Sequence, residues 1–65
     1  MDAKIIGERL RALRGDRTIE EIAEACGVTK AAISNYEQGI RIPRDTVKVK
    51  LAKCLHSTVN DIFFA

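Results

Sequence analysis

The chain has no apolar run approaching the ~18 residues that cross a membrane, no low-complexity stretch and no internal repeat. Its first residues, MDAKIIGERL, scatter charge where a secretory leader needs an uninterrupted apolar core, so no leader is expected. Cysteine is sparse: Cys26 and Cys54 stand without CxxC or Cys/His spacing, so no metal site is expected. Each lies on an apolar stripe, and both read as small core residues in a reducing cytoplasm rather than as a disulfide or redox pair. The single histidine, His56, follows a helix end and reads as terminal packing. Paired carboxylates, a nucleophile beside a base and a phosphate-cradling glycine loop are all missing. With 65 residues the chain is one small domain spanning 1–65, with hardly any interior from which to exclude water. Catalysis, a cofactor and a small-molecule ligand are therefore not expected.

Net charge is also low, at +2. Its distribution is more telling than its size. Residues 1–29 hold five basic and six acidic groups, whereas residues 30–65 hold six basic and three acidic, so the balance splits as −1 and +3. The excess begins at Lys30 and points to an anionic partner for the second half.

What the chain does have is concentrated between Thr18 and Gly39, TIEEIAEACGVTKAAISNYEQG. Thr18-x-x-Glu21 is a capping box that starts a helix by satisfying its orphaned amides. Ile22, Ala23 and Cys26 form its inward stripe, and Gly27 ends it, since a left-handed stop costs glycine nothing. After Val28, Thr29 can cap the next helix, so only about three residues join the two, the range of a helix-turn-helix. In the second helix Ala32, Ile33 and Tyr36 face in, while Lys30, Ala31, Ser34, Asn35 and Gln38 face out. That outward face is short, polar and almost free of acid. Such a helix fits a major groove, where amide, hydroxyl and ammonium groups read base edges.

The remaining elements frame this pair. Lys4 to Leu13 reads as a first helix capped by Asp2 and ended by Gly15, with Ile6, Leu10 and Leu13 on one face and Ile5 beside them. Ile40-Arg41-Ile42-Pro43-Arg44 is a connection, because Pro43 disfavours helix at the residue before it. Asp45 to Leu55 makes a fourth helix with Val47, Leu51, Cys54 and Leu55 inward and lysines 48, 50 and 53 mostly outward. Thr58-x-x-Asp61 caps a fifth, turning Val59, Ile62 and Phe63 to the core. Phe64 is left over, free to fray, to fold back or to meet its copy in a dimer.

The run IEEIAEACGVTKAAISNYEQGIRIPRD, followed by KVKLAKCLHSTVNDIFF, resembles the Cro/C1-type (XRE-like) helix-turn-helix family of bacterial and phage repressors. The matching features are Ile22-Ala23, Gly-Val-Thr in the turn, Ile33-Ser34, Glu37 with Gly39, Pro43 and the LAKxL helix from Leu51 to Leu55, within a similarity reaching from about Ile6 to Phe64. The resemblance implies an all-α, five-helix lambda-repressor-like domain with its helix-turn-helix at about 18–39. It implies double-stranded DNA as partner, Lys30, Ala31, Ser34 and Asn35 as base-reading residues, and Thr29 and Gln38 at the phosphates. Arg41 and Arg44 are then backbone clamps, and Arg14 and Glu37 a structural pair. Two departures stand out. Ile19 replaces the glutamine that often touches phosphate and braces the reading helix, and the loop RGDRT is shorter than usual, leaving Arg17 to take part of the missing phosphate contact. The expected function is a sequence-specific repressor, cytoplasmic and nucleoid-associated, acting as a homodimer through its C-terminal helices and Phe64. A protein-interaction module of antitoxin type is the alternative, left open by Ile19 and the modest charge.

Overall fold

A computed structural model describes residues 1–65 and contains helices alone. They are α1 (Ala3–Arg14), α2 (Ile19–Cys26), α3 (Lys30–Glu37), α4 (Asp45–Cys54) and a short π-wound turn, α5 (Asn60–Phe64). The starts are set by local chemistry. Asp2 accepts from the amides of Lys4 and Ile5, Thr18 from Glu21, Thr29 from Ala32 and Thr58 from Asp61, each capping the first turn that follows.

Three helices stop in the same way. At α2 the Gly27 amide reaches Glu24 and the Val28 amide reaches Ala23; at α3 the Gly39 amide reaches Tyr36 and the Ile40 amide reaches Asn35; at α4 the His56 amide reaches Lys53 and the Ser57 amide reaches Ala52. This is the paired closure in which a left-handed residue follows the helix. Gly27 adopts it at φ 68°, but His56 adopts it at φ 56° with a side chain to accommodate.

The core joins all five helices: Ile6 and Leu10 from α1, Ile22, Ala23 and Cys26 from α2, Ile33 and Tyr36 from α3, Val47, Leu51 and Ala52 from α4, then Leu55, Ile62 and Phe63. Fully burying each large apolar side chain contributes roughly 1.5–3 kcal/mol, a large share in a domain this small. α1 packs across α3 and the C-terminal turn, while α2 wedges between α3 and α4.

The inner face of α1 is narrower than its apolar pattern suggests. Ile5 and Leu13 stand 45% and 38% exposed, and the position between the true core residues is Gly7. A Cβ there would lie 2.6 Å from the Tyr36 carbonyl oxygen and closer still to that of Glu37. Glycine is what lets α1 touch the backbone of α3. Lys48 departs from the outward set as well: it is buried, its ammonium over the rings of Phe63 and Phe64 at 5.5 and 5.3 Å and near Asp45 at 3.4 Å and the Met1 sulfur at 3.8 Å.

Candidate nucleic-acid interface

The site starts from α3, because its inner residues fix which side chains are left outside. Ile33 and Tyr36 are buried, so Lys30, Ala31 and Gln38 stand exposed and Ser34 and Asn35 half-exposed on the opposite side. Of the four proposed base readers, Lys30 lies at the first turn of α3 and Ala31 beside it, with Ser34 and Asn35 one turn on.

Their hydrogen bonding differs. The Lys30 ammonium is 3.0 Å from the Glu20 carboxylate, an exposed ion pair joining the N-terminal turns of α2 and α3. That contact holds the Glu20 carboxyl below its usual range, with its own backbone amide adding to the effect. The Ser34 hydroxyl accepts from the Gln38 amide at 2.6 Å, which leaves the hydroxyl proton to be donated outward. The Asn35 side chain makes no bond within the chain, so both its donor and its acceptor are free. The Asn35 backbone carbonyl is occupied instead, receiving the amides of Ile40 and Arg41 at 3.0 and 3.3 Å.

Those two bonds lash the 40–44 connection to the end of α3. Gly39 makes the reversal at φ 75°, where an added Cβ would lie 2.9 Å from the Lys4 Cα. Pro43 is buried and anchors the far end, leaving Arg41 and Arg44 exposed with no ion pair or side-chain hydrogen bond inside the chain. Two uncommitted guanidinium groups next to a polar helix suit phosphate oxygens.

Behind this surface Arg14 reaches from the end of α1 to Glu37 at the end of α3. Its Nε and Nη2 donate to the two carboxylate oxygens at 2.7 and 3.1 Å, and its Nη1 to the Arg17 carbonyl at 2.8 Å. The carboxylate raises the already high pKa of the guanidinium. The pair fixes where α3 ends and therefore where the loop begins.

Arg17 is placed differently from expectation. Its guanidinium donates to the Cys54 carbonyl at 2.9 Å and the Leu13 carbonyl at 3.4 Å, closing the C-terminus of α4 rather than projecting as a phosphate contact. The free carbonyls at a helix end attract a cation more strongly than an exposed position offers. Thr29, expected at a phosphate, has its oxygen committed to the Ala32 amide, though its proton stays available. One member of the site had no sign in the sequence: Glu20 reads there as an ordinary first-turn acid, and its partner Lys30 lies beyond the turn.

Comparison with known proteins adds three findings. The Helix-turn-helix family matches residues 8–62. No curated protein matches by sequence. Among solved structures, the chain is similar to the restriction-modification controller protein C.AhdI of Aeromonas hydrophila, with 28% identity, a TM-score of 0.88 and coverage of 95% of this chain and 97% of that one. It is also similar to the clp gene regulator ClgR of Corynebacterium glutamicum in two structures, each with 26% identity and 95% of this chain covered; TM-scores are 0.86 and 0.82, with 68% and 83% of those chains covered.

Proposed function

The chain belongs to the helix-turn-helix family of Cro/C1 (XRE-like) type and is a DNA-binding transcriptional regulator; from that premise we propose that it is a repressor, acting as a homodimer on an inverted-repeat operator. The inverted repeat follows from two-fold symmetry, and its half-sites lie about one helical turn apart. α3 enters the major groove. Asn35 pairs with an adenine, Lys30 donates to a guanine, Ser34 donates to a base acceptor, and the Ala31 methyl lies against a thymine methyl. Arg41 and Arg44 clamp the phosphate backbone beside α3, with Thr29 and Gln38 at the helix ends.

The observation that carries this reading is the join between α3 and its loop: Asn35 holds the loop by its backbone carbonyl while its side chain stays free, and the arginines beyond it are uncommitted. Base reading and phosphate clamping are thus set in register by one residue. The protein acts in the cytoplasm at the nucleoid and carries no catalytic function.

The test is selection of bound duplexes from a random library, repeated at two salt concentrations. The expected result is a palindromic site whose affinity falls steeply with salt, by a log–log slope of about 0.9 for each phosphate neutralised. A folded protein that enriches no site would overturn the repressor reading and favour an antitoxin-like partner of another protein.

A further inference from the structure

The ion pair between Glu20 and Lys30 places a carboxylate at the edge of a surface meant for a polyanion. Every other charged group proposed for the interface is basic. Surface carboxylates facing DNA lower affinity for all sequences alike, so this one needs a reason in what it does to its partner. Lys30 is the one cation among the four base readers, and an ammonium carries three donors. One is directed to Glu20, which leaves two for an outside acceptor.

Those two donors have two kinds of acceptor to choose from at a duplex. Guanine O6 and N7 are neutral and sit in the groove; phosphate oxygens are anionic and line its rim. Beside Glu20 the choice is biased. A phosphate approaching Lys30 meets a second negative charge 3.0 Å from the ammonium, whereas a guanine edge brings none. The pair also ties Lys30 to the N-terminal turn of α2.

We propose that Glu20 is a specificity-determining residue: it restrains the Lys30 ammonium for a neutral base-edge acceptor and penalises its use as a phosphate contact, trading general affinity for discrimination. Glu20 touches no base. It acts through Lys30, as a positioning residue, and this inference rests on the DNA-binding reading above.

The experiment compares the intact protein with E20Q, which keeps the shape and removes the charge, on the selected operator, on an operator with the guanine facing Lys30 replaced, and on an unrelated duplex. Glu20 is exposed, so E20Q is expected to remain folded, checked by circular dichroism. E20Q should bind the unrelated duplex roughly threefold or more tightly at low salt, with a steeper salt slope by up to about 0.9, the value for one added phosphate contact. Its preference for guanine over the replaced base should fall. In a K30M background the same E20Q change should leave base preference unmoved and tighten binding to the unrelated duplex by clearly less, because only the general repulsion between the carboxylate and phosphate remains to be removed. An unchanged operator-to-unrelated ratio in E20Q overturns the inference while leaving the DNA-binding reading intact. An equal E20Q effect with and without Lys30 overturns it as well, since Glu20 would then act as plain surface charge. If the unmodified protein selects no operator, both readings fall together.

Discussion

Arg14 and Glu37 are joined by two hydrogen bonds, 2.7 and 3.1 Å, across the 23 positions that separate the end of α1 from the end of α3. Both side chains are mostly buried, at 13% and 10% exposure. A planar fork facing a carboxylate is the strong form of ion pair, and the third guanidinium nitrogen is held by the Arg17 carbonyl. Removing either partner strands the other. Arg14→Ala and Glu37→Ala are each expected to destabilise by about 2–3 kcal/mol, somewhat under the figure for a fully dry pair because the site lies near the surface. The double variant should be less destabilised than the two single losses added together, as read by urea denaturation. Additive losses would mean that the pair is not coupled.

Gly7→Ala should be among the most damaging single changes in the chain. Alanine raises intrinsic helix propensity by about 1 kcal/mol over glycine. Here the methyl would strike the carbonyls of Tyr36 and Glu37, which are backbone atoms and cannot rotate away. The two helices must separate, at a cost of about 1–3 kcal/mol for overpacking, and the end of α3 moves with them. Net destabilisation with weakened DNA binding is expected; a higher melting temperature would show that α1 and α3 can part freely.

What was legible in the sequence is what local chemistry decides. The caps at Thr18, Thr29 and Thr58 and the stop at Gly27 each depend on residues within a few positions, and all are present. The inner stripes of α2 and α3 were legible for the same reason, since a period of 3.6 needs no knowledge of the partner. The rest was set by long-range contact. Gly7 looks like a weak spot in a helix until α3 lies on it, and Lys48 looks like a solvated lysine until Phe63 and Phe64 arrive. Arg17 reads as a free loop cation, yet its reach finds a carbonyl 37 positions away. The Glu20–Lys30 pair spans the turn, and periodicity within either helix says nothing of it.

Burial pushes the Cys26 thiol up to about 11 from an ordinary value of 9.0, and the adjacent Cys54 thiol adds to the effect. The folded chain therefore holds its proton more tightly than the unfolded chain. Between pH 9 and 11 the native state binds more protons, so its stability is complete below about pH 9 and falls as pH rises through that window. Cys26→Ala should cost stability at pH 7 by leaving a small cavity but flatten the alkaline decline, measured by denaturation across that range. A slope unchanged by the substitution would place the alkaline titration elsewhere. With a thiol-reactive dye, Cys54 should label first and Cys26 only on unfolding, because thiolate access governs the rate.

Asn35→Ala and Arg44→Ala should separate the two halves of the interface. On the proposed docking, losing the Asn35 amide removes a bidentate base contact, so discrimination at one base pair should drop by about 1–3 kcal/mol. The loop is held by the Asn35 backbone carbonyl, which alanine retains, so the fold should be undisturbed. Losing Arg44 should weaken binding to every duplex and reduce the salt slope by about 0.9 with no change of preferred sequence. Equal loss of base preference in both variants would mean that α3 does not read the groove.

Phe64 is 61% exposed, and with Met1 at 61% and Ile5 at 45% it edges an open groove of about 310 Å³ between the two termini of the chain. The Lys48 ammonium approaches its ring at 5.3 Å. Since its neighbour Phe63 already fills the core, Phe64 contributes little to the monomer, and Phe64→Ser should change its stability by no more than about 1 kcal/mol. If the ring meets its counterpart across the proposed two-fold axis, the same change acts twice per dimer, and a central aromatic contact contributes about 2 kcal/mol or more. Sedimentation at micromolar concentration should then show a dimer for the unmodified protein and a shift toward monomer for Phe64→Ser. Operator binding should become steeper in protein concentration as two copies assemble on the DNA. A dimer of equal strength in both proteins would place the interface on another face, and a Phe64→Ser variant that fails to fold would make Phe64 part of the core after all.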